Sequence, residues 1–261
     1  MGENVTIITG SKGGVGTTTV ALNLAVQMGM QTRKRVGLLD LARPFGQISL
    51  MLDLEPRFTI LDALERIERL DERLLASMAM RHKAGVEILA GPLHAAMKPE
   101  QRQSVTLAAL TRLVEIAAHT FEFVVTDMGV VNAAEWAPVL GQASTLLLVA
   151  EPSVLALGMI SRHIAAAAPA GVDCARIQVI VNRWRQNDDG VLADFEKRAP
   201  RPVFMRLPND YRQVTEALTL AVPLTGSSNN LLLSRYRALA AWVAAKSTAK
   251  TQIAEPSAAE A

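Results

Sequence analysis

A chain of 261 residues, half of them hydrophobic, can bury a substantial core and fits one large α/β domain. Its 27 basic and 25 acidic residues nearly cancel to a net charge of +2, so no strong field favours nucleic acid or an anionic membrane. A single cysteine, Cys174, excludes an intrachain disulfide framework and a four-cysteine metal site from one chain, and it suits a reducing cytoplasm.

The amino terminus, MGENVTIITG, lacks the basic region and long apolar stretch of a signal peptide. No apolar run approaches the roughly 20 residues a membrane-spanning helix needs. The expectation is a cytoplasmic protein, with any recruitment to the inner face of a membrane or to a cell pole passing through a partner or a surface helix.

Taken in order, short β-branched runs alternate with longer segments of helical period, which predicts βα units around a mostly parallel sheet with helices on both faces. A strand over 5–9 meets the glycine-rich stretch GSKGGVGTTT, residues 10–19, and a helix over 18–31. A strand over 36–40 precedes a helix over 60–70, opened by Thr59 with Asp62 placed to complete a capping box. Next come a strand over 86–89, a helix over 99–120 and a strand over 123–127. Strands over 145–150, 177–181 and 203–205 alternate with helices over 154–168, 211–220 and 231–246. Several of these strands are apolar throughout, as strands covered on both faces are. The small, polar residues from 247 onward read as a disordered tail, leaving 1–246 as one domain and 247–261 as the tail.

Strand, glycine-rich turn and helix together aim backbone N–H groups at an anion at a helix N-terminus. Gly13, Gly14 and Gly16 let the chain approach phosphate oxygens with no Cβ in the way. Thr18 takes the hydroxyl place of G-x-x-x-x-G-K-[ST], where Mg²⁺ is coordinated. Against that template the first glycine is Ser11 and the lysine is Thr17, so a glycine-rich turn that binds nothing is the competing reading.

KGGVG followed by threonines, with Lys12 ahead of the paired glycines, resembles the deviant phosphate loop of the ParA/MinD superfamily. The stretch 36–40 resembles that superfamily's second motif, and 121–127 its strand ending in aspartate. Asn182-Arg183 sits where the family contacts adenine, and LPND, residues 207–210, matches its late segment. The resemblance covers residues 4–245. Within it, 44–64, 146–164 and 181–186 look most like the CpaE/TadZ branch of pilus-assembly proteins. The receiver-like N-terminal domain found in many members of that branch has no counterpart in these residues.

The resemblance implies a P-loop fold binding ATP or ADP with Mg²⁺. The nucleotide contacts it implies are Lys12, Gly13, Gly14, Val15, Gly16, Thr17, Thr18, Thr19, Asn182, Arg183, Pro208 and Asp210. The metal contacts are Thr18, Asp40 and Asp127. Without the motif, Asp40, Asp127 and Asn182 read equally as residues that end a strand and cap a turn. Lys12 would reach across a nucleotide-sandwich homodimer to the partner's phosphates, or else be a solvated loop lysine.

Thr17 offers one hydrogen bond and no charge where a lysine would offset charge in phosphoryl transfer. The family commonly reads Asp-x-Asp at the second motif, and here it is Asp40-Leu41-Ala42. Alanine can neither orient water nor accept its proton. The expected function is thus a positioning factor or scaffold for a pilus or secretion apparatus with weak or absent hydrolysis. Nucleic acid is not an expected partner. The alternative is an active ParA/MinD-type ATPase moving cargo on DNA or membrane. His82, His94, His119 and His163 are scattered and read as surface or helix-end residues. Arg66, Arg69, Arg73 and Arg81, interleaved with acids, read as a solvated helical face, and Cys174 as a small buried residue.

Overall fold

The computed structural model describes residues 2–253, apart from 45, 94–98, 198, 225 and 227–229. The strands are β1 (Gly2–Gly10), β2 (Val36–Asp40), β3 (Met80–Arg81), β4 (Val86–Leu89), β5 (Phe123–Asp127), β6 (Ala143–Ala150), β7 (Ile177–Trp184) and β8 (Val203–Pro208). They lie side by side in the order β3-β4-β2-β5-β1-β6-β7-β8. Every pairing is parallel except β3 against β4.

The helices are α1 (Thr17–Thr32), α2 (Ile48–Met51), α3 (Ile60–Glu65), α4 (Glu72–Met78), α5 (Pro99–Ser104), α6 (Leu107–Thr120), α7 (Ala137–Leu140), α8 (Val154–Ala167), α9 (Asp189–Glu196), α10 (Tyr211–Thr219) and α11 (Leu231–Ile253). Successive strand residues point to opposite faces, and both faces are covered. Ile7, Leu39, Val124, Leu146 and Val179 join a core with α3, α4, α6, α8 and α9. Their neighbours Ile8, Leu38, Val125, Leu147 and Ile180 join another with α1 and α11. All the residues of β2, β5 and β6 are buried, which is why those strands are mostly apolar, with the carboxylates of Asp40 and Asp127 confined to the ends of β2 and β5.

β1 sits between β5 and β6, so the chain winds one way from β1 to β2 and the other way from β6 to β8. In open parallel sheets the crevice at such a switch point, beyond the carboxyl ends of the strands, is where ligands bind. The glycine-rich stretch leaves β1 at that crevice.

Some expected elements are corrected. The helix expected over 60–70 stops at Glu65 and gives way to a 3₁₀ turn, Ile67–Arg69. Its cap is as expected, with the Thr59 N–H donating to Asp62 Oδ2 at 2.8 Å. The helix expected over 99–120 is two, because the Thr106 side chain accepts from the Ala109 N–H and restarts the helix there. Arg66, Arg69, Arg73 and Arg81 fall after α3, in the 3₁₀ turn, in α4 and in β3, so they do not share a helical face. The last helix continues past 246 to Ile253 and Ser247 is buried, while 254–261 lie outside the described residues.

Candidate functional site

The loop between β1 and α1 is tied down at its base. The Gly10 N–H donates to the Gly129 carbonyl at 2.7 Å and the Ser11 N–H to the Val149 carbonyl at 2.8 Å. Beyond them the backbone opens out: Gly14 has φ +80° and Gly16 φ +92°, conformations that favour glycine. A Cβ added to Gly13 or Gly14 would meet nothing within 4 Å. Gly16 caps α1 without any side-chain hydrogen bond, so the first N–H groups of that helix lack a capping side chain. A cradle of free amides at the positive end of a 16-residue helix suits an anion such as phosphate.

Gly16 is also required from the other side. A Cβ there would run into the Asn182 amide, whose Nδ2 donates to the Val15 carbonyl at 2.9 Å. Asn182, at the end of β7, therefore fixes the loop as well as facing the crevice. Thr17 is buried at the start of α1. Its Oγ1 lies against Gly10, so close that a Cβ on that glycine would stand 2.5 Å away. It is packed beneath the loop.

Asp40 and Asp127 end adjacent parallel strands in register with each other, and both are completely buried. Asp40 accepts from the N–H groups of Ala42 (3.2 Å), Gln47 (2.8 Å) and Ile48 (3.0 Å). Burial, and then the charge of Asp127, nonetheless push its pKa up to about 7. Burial raises Asp127 too, opposed by the Thr18 hydroxyl and the Gly129 N–H. Oxygen Oδ2 of Asp127 has no hydrogen-bond partner. Two buried carboxylates side by side, one with an orphaned oxygen next to Thr18, fit a divalent cation that would relieve both. Among the described residues no group of three or more His, Cys, Asp or Glu could hold a metal. Mg²⁺, which keeps several waters and takes one or two carboxylates plus phosphates, asks for no more.

Ala42 is buried, with its Cβ 3.5 Å from where a side chain on Gly129 would begin. The Arg43 guanidinium lies 4.5 Å from the centre of the Trp136 ring, and burial lowers its pKa while Glu135 opposes the shift. Lys12 Nζ pairs with Glu151 Oε1 at 2.8 Å, and Arg183 stands 3.9 Å from the other oxygen. The Lys12 contact, first among several, holds the Glu151 carboxyl below its ordinary range.

Next to the cradle, sharing Gly16 and Thr19 with it, lies a cleft of about 160 Å³ that Asn182, Arg183, Pro208 and Asp210 also line. Arg183 adopts φ +57°, and its side chain is half exposed. Asp210 is committed to the chain itself: it accepts from the Gln213 N–H (3.0 Å) as the cap of α10 and from Asn230 Nδ2 (3.3 Å). The structure thus gathers residues 12–19, Asp40, Asp127, Asn182, Arg183, Pro208 and Asp210 at the carboxyl ends of the strands. Sequence reasoning missed Glu151, and also Gly46 and Gly91, whose backbones press on the Asp40 carboxylate too closely to admit a Cβ. It missed Tyr211 and Tyr236 in the cleft as well.

No protein-family model matches the chain. In sequence it is 27% identical over 222 residues to a putative septum site-determining protein MinD of Chlorella vulgaris, covering 80% of this chain and 73% of that protein. A similar protein of Guillardia theta is 26% identical, with 79% and 75% covered. In structure it superposes on a ParA family ATPase from Chlorobium tepidum with a TM-score of 0.82 at 22% identity, covering 92% of this chain and 99% of the other. The fold is that of the ParA/MinD P-loop NTPases. MinD of Pyrococcus horikoshii, solved as a complex with Mg-ADP, shares this ParA/MinD fold with a TM-score of 0.71 at 21% identity over 92% and 94% of the two chains.

The side chains set aside from the sequence are placed differently from expectation in two cases. His82 is buried in a turn, its Nδ1 accepting from the Ala84 N–H at 3.2 Å. His163, on α8, is partly buried with an unpaired Nε2, and burial lowers its pKa. His119 is exposed at the end of α6, and His94 lies outside the described residues. Cys174 is a free thiol, partly buried ahead of β7. No helix among the described residues is long and apolar enough to cross a membrane.

Proposed function

We propose that this chain is a nucleotide-binding, dimer-forming protein of ParA/MinD type that positions or scaffolds a pilus or secretion apparatus, with little or no ATP hydrolysis. The observation that carries the reading is the pairing of an open cradle and two buried carboxylates with Thr17 and Ala42 at the positions where charge and water activation would be needed. The loop amides and the end of α1 hold the phosphates, Thr18, Asp40 and Asp127 hold Mg²⁺, and Asn182 with Pro208 borders the base. When bound, Mg²⁺ would neutralise charge on phosphate oxygens. A neutral hydrogen bond is worth about 1 kcal/mol against roughly 1.5–3 for a charged one, so Thr17 lowers affinity by about tenfold without abolishing it.

For the dimer, the support is Lys12, which by resemblance reaches the partner subunit's phosphates. It stands at the rim of the cradle, held by Glu151 in an ion pair that is only partly buried. Nucleotide that binds across two copies stabilises their association by mass action. The pilus assignment rests on the CpaE/TadZ-like stretches of sequence alone. The test is equilibrium binding of ATP and Mg²⁺ with oligomeric state recorded, beside a phosphate-release assay. Binding and dimerisation with negligible release are expected, and robust turnover that Lys12→Ala abolishes would refute the scaffold. Similarity to MinD and ParA proteins favours one second reading, an active ATPase on DNA or membrane. Stimulation of hydrolysis by duplex DNA or anionic lipid vesicles would select it.

A further inference from the structure

The cleft beside the phosphate cradle contains a group that neither the fold nor the motifs assign. Tyr236, in the second turn of α11, is 1% exposed and lines the cleft together with Asn182 and Pro208. Its hydroxyl has no hydrogen-bond partner among the described residues. The residue belongs both to the core that α1 and α11 share and to the lining of the cleft. Buried hydroxyls are nearly always bonded, and a phenol left free at the floor of a cleft asks for a ligand atom or a water. Asn182 uses one of its two amide N–H groups on the Val15 carbonyl, which fixes the side chain against the loop, and its Oδ1 remains an acceptor.

We infer that Tyr236 is a base-reading residue, donating its phenolic proton to a ring nitrogen of an adenine whose exocyclic amine is accepted by Asn182 Oδ1. This deepens the nucleotide-binding reading and rests on it. Burial keeps the phenol neutral, so it remains a donor at any physiological pH. An acceptor beside a donor matches the edge of adenine, which presents an amine next to N7, and it opposes guanine, which presents O6 there. Thr19 and Gly16 connect this edge directly to the phosphate cradle. Because α11 packs along α1, the helix that starts at the loop, Tyr236 reaches the cleft without distorting the fold.

The test is binding of ATP, 7-deaza-ATP, 1-deaza-ATP and GTP, each with Mg²⁺, to the wild-type chain and to Tyr236→Phe. Wild type should bind ATP about three- to tenfold more tightly than one of the two deaza analogues, the worth of one neutral hydrogen bond. Tyr236→Phe should lose that difference and bind ATP as weakly as wild type binds the analogue. Its melting temperature without nucleotide should not fall, since no bond within the protein is removed; a fall would mark a structural role instead. ATP affinity unchanged by Tyr236→Phe would overturn the inference alone. Absence of ATP binding by the wild-type chain at millimolar concentration would overturn the nucleotide reading and the inference together.

Discussion

The two sides of the site at β1 are built on different principles. On the α1 side the working groups are backbone amides, placed by two positive-φ glycines and held by Asn182, and Thr17 disturbs none of that because its side chain packs beneath the loop. On the β2–β5 side the working groups are side chains, and there Ala42, buried where the family resemblance expects a carboxylate, is proposed to remove the function. Binding made from main chain should tolerate substitution, whereas chemistry made from side chains should not. That difference can be broken or sharpened by four experiments.

The largest effect should come from restoring what the side chains lack. Thr17→Lys combined with Ala42→Asp is expected to raise phosphate release on the order of a hundredfold, the scale on which a single preorganised group acts. A rate equal to wild type would mean the two sides do not differ in the way described. Gly16→Ala attacks the main-chain side: strain of roughly 1–2 kcal/mol at φ +92° and the loss of the Asn182 bond should lower stability by about 2–3 kcal/mol and eliminate ATP binding. Thermal melts and titration read both.

Asp40→Asn probes the other side through pH. The folded-state pKa of about 7 lies above the ordinary 3.8, so the native chain binds the extra proton and stability falls as pH rises between those values. Without Mg²⁺, the variant should therefore be more stable than wild type at pH 8 by on the order of 2 kcal/mol, and the gap should close near pH 5. Mg-ATP should raise the melting temperature of wild type much more than that of the variant. An advantage that persisted unchanged at pH 5 would contradict the buried-charge account. Smallest of all, Glu151→Gln releases Lys12 from a partly exposed pair worth up to about 1 kcal/mol and should strengthen nucleotide-dependent dimerisation about threefold by sedimentation. Weaker dimerisation would show that Glu151 positions Lys12 for the partner.

Much of this architecture was legible because its signals are local. β2, β4 and β5 match the strands expected over 36–40, 86–89 and 123–127 to the residue, and the Thr59–Asp62 box marks a helix start that the structure keeps. Lys12, Asp40, Asp127 and Asn182 come together from strands far apart in sequence because a parallel sheet puts all its strand ends on one side. What stayed hidden depends on contacts no window shows. Glu151 matters only because Lys12 folds against it, and Tyr236 meets a cleft only because the ends of β7 and β8 form its opposite wall. The short helices α4 and α9, seven and eight residues, are too brief to display a period.

The stacking of Arg43 on Trp136 has an optical consequence. Those residues sit on the two loops that follow β2 and β5, on the side-chain half of the site. A cation 4.5 Å from an indole perturbs its emission, so the chain carries its own reporter of the distance between those loops. With only three tryptophans in the sequence, replacing Trp184 and Trp242 by phenylalanine leaves that one signal in view. A change in emission on adding Mg-ATP then registers loop movement directly, in a protein whose turnover is expected to be too slow to register it any other way.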